Sequence, residues 1–91
     1  MARLLAGERA DVRLRNRPDG IELTRRRLFA RVSRAGAGVE LLLALGGVGK
    51  IDRFEEVDGF STPITHRLRI DRVQDVDATV LSWVERAWEL A

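Results

Sequence analysis

The chain has no cysteine and no tyrosine, one lysine (Lys50), one histidine (His66) and two prolines among its 91 residues. Without cysteine, no disulfide staples the fold and no thiolate can serve as nucleophile or metal ligand. A single histidine without cysteine is a poor start for a zinc site, and the sequence reading assigns no metal and no cofactor. No apolar run approaches the roughly 18–20 residues that span a bilayer, so no membrane contact is expected. Met1–Ala10 holds Arg3, Glu8 and Arg9 around only two leucines, too short and too charged for a signal-peptide core. With neither export signal nor span, the expected address is the cytoplasm.

What is present is the composition of one globular domain, residues 1–91, with 45% hydrophobic and 33% charged residues. The pI near 10.3 exaggerates the basic character. The net charge is only +2, and with one lysine and no tyrosine almost nothing titrates between neutrality and the arginine range. The distribution says more. Residues 1–34 carry a balance of +6, built on ten arginines, and residues 35–91 a balance of −4. Such asymmetry points to a basic surface and an acidic one, suited to an anionic partner or to self-association, unless the fold neutralises it internally.

Alternation of apolar and polar residues predicts short strands over 11–15, 21–25, 28–33 and 64–70. The nearly continuous apolar run 39–45 predicts a central strand covered on both faces. Asn16–Gly20, with Pro18, Asp19 and Gly20, is a turn, and Ala2–Ala10 permits a short helical turn. Residues 50–63, with Ile51, Phe54, Val57 and Phe60 between acids, read as a loop or edge strand. From Asp75 to Leu90 a helical period gathers Val76, Val80, Leu81, Trp83, Val84, Ala87 and Trp88 in one arc. Thr79, Ser82, Glu85, Arg86 and Glu89 fill the other half. The expected architecture is α+β: a small antiparallel sheet of about four to five strands with the C-terminal amphipathic helix packed across one face.

Several of these segments resemble a known family. Leu23–Ala30, with its Arg25-Arg26-Arg27 and Phe29-Ala30, resembles the basic strand and turn of a family of bacterial domains of unknown function, number 5655. Gly47-Val48 with Gly49-Lys50-Ile51 is similar to its glycine-valine, then glycine-basic-aliphatic, pattern. Thr65-His66-Arg67 resembles its Thr-His-Arg strand. Val76-Asp77, the aliphatics Val80 and Leu81, Trp83 and Ala87-Trp88 resemble its last helix. The likeness runs from about Val12 to Leu90. It implies an α+β fold, in a domain often found as the C-terminal half of longer proteins, and no established activity. Members near restriction-type systems make nucleic acid the partner that the resemblance implies. Arg72 stands where a capping serine is expected, so the cap must come from elsewhere, such as Asp71. The chain starts close to the domain, and a surface left uncovered there would favour a homodimer.

Two readings are open for Arg25, Arg26 and Arg27, joined by Arg67 and Arg69 if the last strand lies beside them. Three guanidinium forks could clamp phosphates of a nucleic acid or another anionic partner, or a charged edge could simply discourage aggregation. Successive strand residues alternate faces, so the three can share a side only if the chain turns. No aromatic residue interleaves with them, so any nucleic-acid contact would be to the backbone and salt-sensitive.

His66 shares its strand face with Ile64, Leu68 and Ile70, which favours a buried, hydrogen-bonded histidine over an acid–base catalyst. Asp77 is expected to cap the helix, or to pair with Arg67 or His66. Leu81, Val84 and Trp88 form a candidate interface toward the helix rim, the alternative function being protein interaction or homo-oligomerisation. Gly46–Lys50 fails as a phosphate loop: Ala44 stands where the Walker pattern needs glycine, and Ile51 where it needs serine or threonine. A nuclease-type acid-x-lysine pair is missing too, since Val48 precedes Lys50 by two.

Overall fold

The computed structural model describes residues 11–57 and 63–91. The Ala2–Ala10 turn and the Asp58–Gly59 region lie outside the described residues. Among the described residues there are six strands: β1 (Arg13–Arg17), β2 (Gly20–Thr24), β3 (Leu28–Ala35), β4 (Gly38–Leu43), β5 (Glu55–Glu56) and β6 (His66–Ile70). A 3₁₀ turn (Val73–Asp75) leads into one helix, α1 (Ala78–Leu90). The strands form a single antiparallel sheet in the order β1-β2-β3-β4-β6-β5. The expected α+β architecture therefore stands, with a strand count slightly higher than expected. The difference is β5, a two-residue edge strand too short to leave a period in the sequence.

Pairing register sorts the side chains onto two faces. Leu23, Ala30, Leu43 and His66 lie in one cross-strand row, and Ile21, Val32, Leu41 and Leu68 in the next. These rows face α1, whose buried residues are Val80, Val84 and Ala87. Leu23, Leu41, Leu43 and Val80 are completely buried, and Phe29, Leu45 and Phe54 join the same core. The opposite face carries the row Arg15, Glu22, Arg31, Leu42, Arg67, Glu55. Leu42 is only 5% exposed there, so β4 is buried on both sides, as its apolar run predicts.

Turn chemistry sets the strand ends. Pro18 and Asp19 form the two-residue loop between β1 and β2, and Arg17 pairs with Gly20. A Cβ at Gly20 would meet the Val32 carbonyl oxygen at 2.1 Å, so only glycine fits where β2 approaches β3. A bulge between Leu23 and Thr24 then bends β2 into the arginine turn.

The helix starts later than the 3.6-residue period suggests, at Ala78 rather than Asp75. The Asp75 carboxylate turns back to accept from the Asp71 and Arg72 backbone N–H groups, closing the 3₁₀ turn. Asp77 is the N-cap of α1, its Oδ1 accepting from Val80 N at 3.0 Å. The cap therefore comes from Asp77 and not from Asp71.

Candidate functional site

Arg25, Arg26 and Arg27 lie on the turn between β2 and β3, where the Arg25 N–H donates to the Arg27 carbonyl at 3.1 Å. That tight turn sends the first and third guanidinium groups to one side and leaves Arg26 exposed. Arg25 Nη1 donates to the Trp88 carbonyl at 3.1 Å, and Arg27 Nη2 to the Leu90 carbonyl at 3.0 Å. Both carbonyls belong to the last turn of α1, which carries the negative end of the helix dipole; the Trp88 carbonyl also accepts from the Ala91 N–H at 3.2 Å. Arg25 also lies over the Trp88 indole, 4.0 Å from its centroid, and its Nε donates to Asp11 Oδ2 at 2.9 Å. The other Asp11 oxygen accepts from Trp88 Nε1 at 3.3 Å. Two of the three arginines thus close the C-terminal end of the helix.

The N-terminal end of α1 is held in the same way from another direction. Arg53 Nη1 donates to Asp77 Oδ2 at 2.7 Å and its Nη2 to the Asp75 carbonyl at 3.2 Å. Arg53 has φ 71°, a left-handed backbone that is strained outside glycine, and these two bonds offset the strain. The Val80 N–H first, and then Arg53, hold the Asp77 carboxyl below its ordinary value. Its partner is Arg53, not Arg67 or His66.

Arg67 and Arg69 do not join the arginine turn. They lie on β6, with β3 and β4 between them and β2, and on the sheet face opposite α1. Arg67 pairs with Glu55 on β5, and Arg69 with Asp71 at 2.9 Å. Together with Arg53, Glu40 and Glu55 they line an open concavity of about 420 Å³, in which each arginine already has its carboxylate.

His66 is 1% exposed. Its Nε2 lies 2.6 Å from the Gly49 carbonyl, which can only accept, so Nε2 carries the hydrogen. Its Nδ1 then accepts from the Thr65 hydroxyl at 2.7 Å, and that hydroxyl accepts from Leu45 N at 3.0 Å. The ring ties β6 to the glycine loop after β4 and has both nitrogens engaged. Gly49, at φ +81°, needs glycine for its backbone. The loop is a structural turn anchored by histidine.

Of the helix residues considered for an interface, Val84 is 3% exposed and belongs to the core. Leu81 and Trp88 are half-buried against it, and Trp88 is engaged by Arg25 and Asp11.

Of the exposed cations with no ion pair to a described residue, Arg34, Lys50, Arg72 and Arg86 lie elsewhere on the surface, and Arg13, Arg15 and Arg26 gather on β1 and at the turn. Arg13 and Arg15 sit two apart on the edge strand, on the face opposite α1, about 7 Å from one another along the strand. Both are exposed, as is Arg26, and none forms an ion pair with a described residue. Asp11, Arg13, Arg25 and Arg26 together line an open concavity of about 350 Å³. The alternation of Arg13 and Arg15 was visible in the sequence. Their lack of an ion pair with a described residue was not, because it depends on where the fold brings the carboxylates. Among the described residues no helix is long and apolar enough to cross a membrane.

A family model described as Domain of unknown function (DUF5655) matches residues 4–91. No curated protein and no solved structure matches the chain.

Proposed function

We propose that this chain, which belongs to the DUF5655 family, is a non-enzymatic binding module for an anionic partner, a nucleic-acid backbone, contacted through Arg13, Arg15 and Arg26. One observation carries the reading: while Arg17, Arg25, Arg31, Arg53, Arg67 and Arg69 are each matched by a carboxylate, these three lie exposed near the concavity between β1 and the arginine turn. Arginine left exposed without a carboxylate keeps its full capacity for a phosphate. Arg27, bonded to a neutral carbonyl, adds its charge to the same end of the domain.

The aromatic side chains among the described residues argue for backbone contact without base stacking. Phe29 and Phe54 are core, and Trp83 and Trp88 belong to α1 on the other face. Binding should therefore be tolerant of sequence and strongly dependent on salt. A self-association reading through the helix has less support, because Val84 is buried and Trp88 is already held.

The test is titration of labelled DNA and RNA with wild type and with Arg13/Arg15/Arg26→Glu. Three phosphate contacts give about a 40-fold loss of affinity between about 50 and about 200 mM salt. The triple variant should lose binding while keeping its fold. Absence of binding by the wild type at low salt would end the proposal.

A further inference from the structure

The concavity of Asp11, Arg13, Arg25 and Arg26 shares a wall with the clamp on α1. Asp11 is its only acid among the described residues, set among three guanidinium groups. One carboxylate oxygen receives Arg25 Nε at 2.9 Å and the other receives the Trp88 indole N–H at 3.3 Å. Arg25 in turn holds the Trp88 carbonyl. Asp11 is half exposed, with 48% of its side chain accessible, so it can leave without opening the core. A carboxylate and a phosphate present the same kind of paired oxygens to a guanidinium fork and compete for it.

Resting on the reading above, we infer that this concavity is a phosphate subsite, in which phosphate oxygens replace Asp11 on Arg25 and the displaced carboxylate releases the Trp88 indole N–H. Arg13 and Arg26, which have no carboxylate of their own, supply the remaining charge. The exchange is of ion pairs and hydrogen bonds, with no covalent bond made or broken, and is therefore reversible. It couples an occupied subsite to the C-terminal end of α1, more than sixty residues away in sequence from the arginine turn. Asp11 acts as an internal competitor that lowers affinity for the phosphate.

The indole of Trp88 reports the event. A Trp83→Phe variant leaves it as the only tryptophan, and in the wild type the two indole N–H signals are separable by NMR should that variant not fold. Trp88 is followed while inorganic phosphate, or a short DNA duplex, is added, and anisotropy of the labelled duplex is recorded in parallel. The Trp88 signal should change and saturate together with binding. Asp11→Asn should tighten phosphate binding about fourfold, by removing a like charge some 5 Å from the phosphate in a water-exposed site. Arg25→Gln should abolish the Trp88 response. Response to phosphate and duplex alike assigns the subsite to the phosphate group itself, and response to the duplex alone assigns it to the nucleic-acid backbone. Duplex binding with an unchanged Trp88 signal, or weaker binding by Asp11→Asn, overturns the inference and leaves the anionic-partner reading standing. No binding of the duplex at low salt removes both.

Discussion

Replacing Arg25 by alanine should destabilise the domain by roughly 2 kcal/mol, even though the side chain sits on a basic surface turn. The magnitude follows from three contacts. The hydrogen bond to the Trp88 carbonyl adds a charged donor to an acceptor at the negative end of the helix and contributes about 1 kcal/mol. The guanidinium over the indole, 4.0 Å from its centroid, adds about 0.5–1 kcal/mol at a partly exposed site. The ion pair with half-exposed Asp11 adds less than about 1 kcal/mol. Urea unfolding followed by far-UV circular dichroism is the assay. With a slope near about 1 kcal/mol/M, the midpoint should fall by about 2 M with the slope unchanged. Arg25→Lys should recover no more than half, because an ammonium cannot lie flat on the indole and fork to two acceptors. Arg26→Ala is the control and should stay within about 0.5 kcal/mol of wild type. Equal losses for Arg25→Ala and Arg26→Ala, or an Arg25→Ala variant as stable as wild type, would refute the division of the arginine turn into anchoring and exposed residues.

Two further outcomes follow from the same geometry. His66→Ala should cost about 2–4 kcal/mol in urea unfolding, since it empties a buried site, takes the donor from the Gly49 carbonyl and removes the acceptor of the Thr65 hydroxyl; a near-neutral substitution would contradict the assigned role. The Asp77 carboxyl, held below its ordinary value of 3.8 first by the Val80 N–H and then by Arg53, contributes stability that is complete above the ordinary carboxylate range and is lost as pH falls through 3.8 toward the folded value. Asp77→Asn should therefore lower stability at neutral pH and make the acid limb of the stability curve shallower, and an unchanged acid limb would count against the cap.

The sheet and the helix were legible because their residues obey periods of two and 3.6 over enough positions. Ile64, His66, Leu68 and Ile70 alternate, and the burial of His66 follows directly from the face it shares. The asymmetric charge of the two halves was legible as well, but not its fate: Arg53 and Arg67 meet Asp77 and Glu55 only after β5, β6 and α1 are assembled. The anchoring of Arg25 and Arg27 was hidden for a related reason. Their acceptors are backbone carbonyls of Trp88 and Leu90, and a carbonyl carries no residue identity for a sequence pattern to detect. The turn that lets both reach one side depends on the bulge after Leu23, which is a product of strand pairing. The late start of α1 has the same origin, because the Asp75 carboxylate suits a helix start as well as the 3₁₀ turn it actually closes.

The claim on which the function rests is that Arg13, Arg15 and Arg26, the exposed cations without an ion pair that gather on β1 and at the arginine turn, are the ones that meet a partner. The slope of log affinity against log salt for a DNA duplex measures this directly. Three contacts give a slope near about −2.7 for the wild type, and Arg26→Ala should bring it to about −1.8 while leaving stability intact. A slope unchanged by Arg26→Ala would contradict the account.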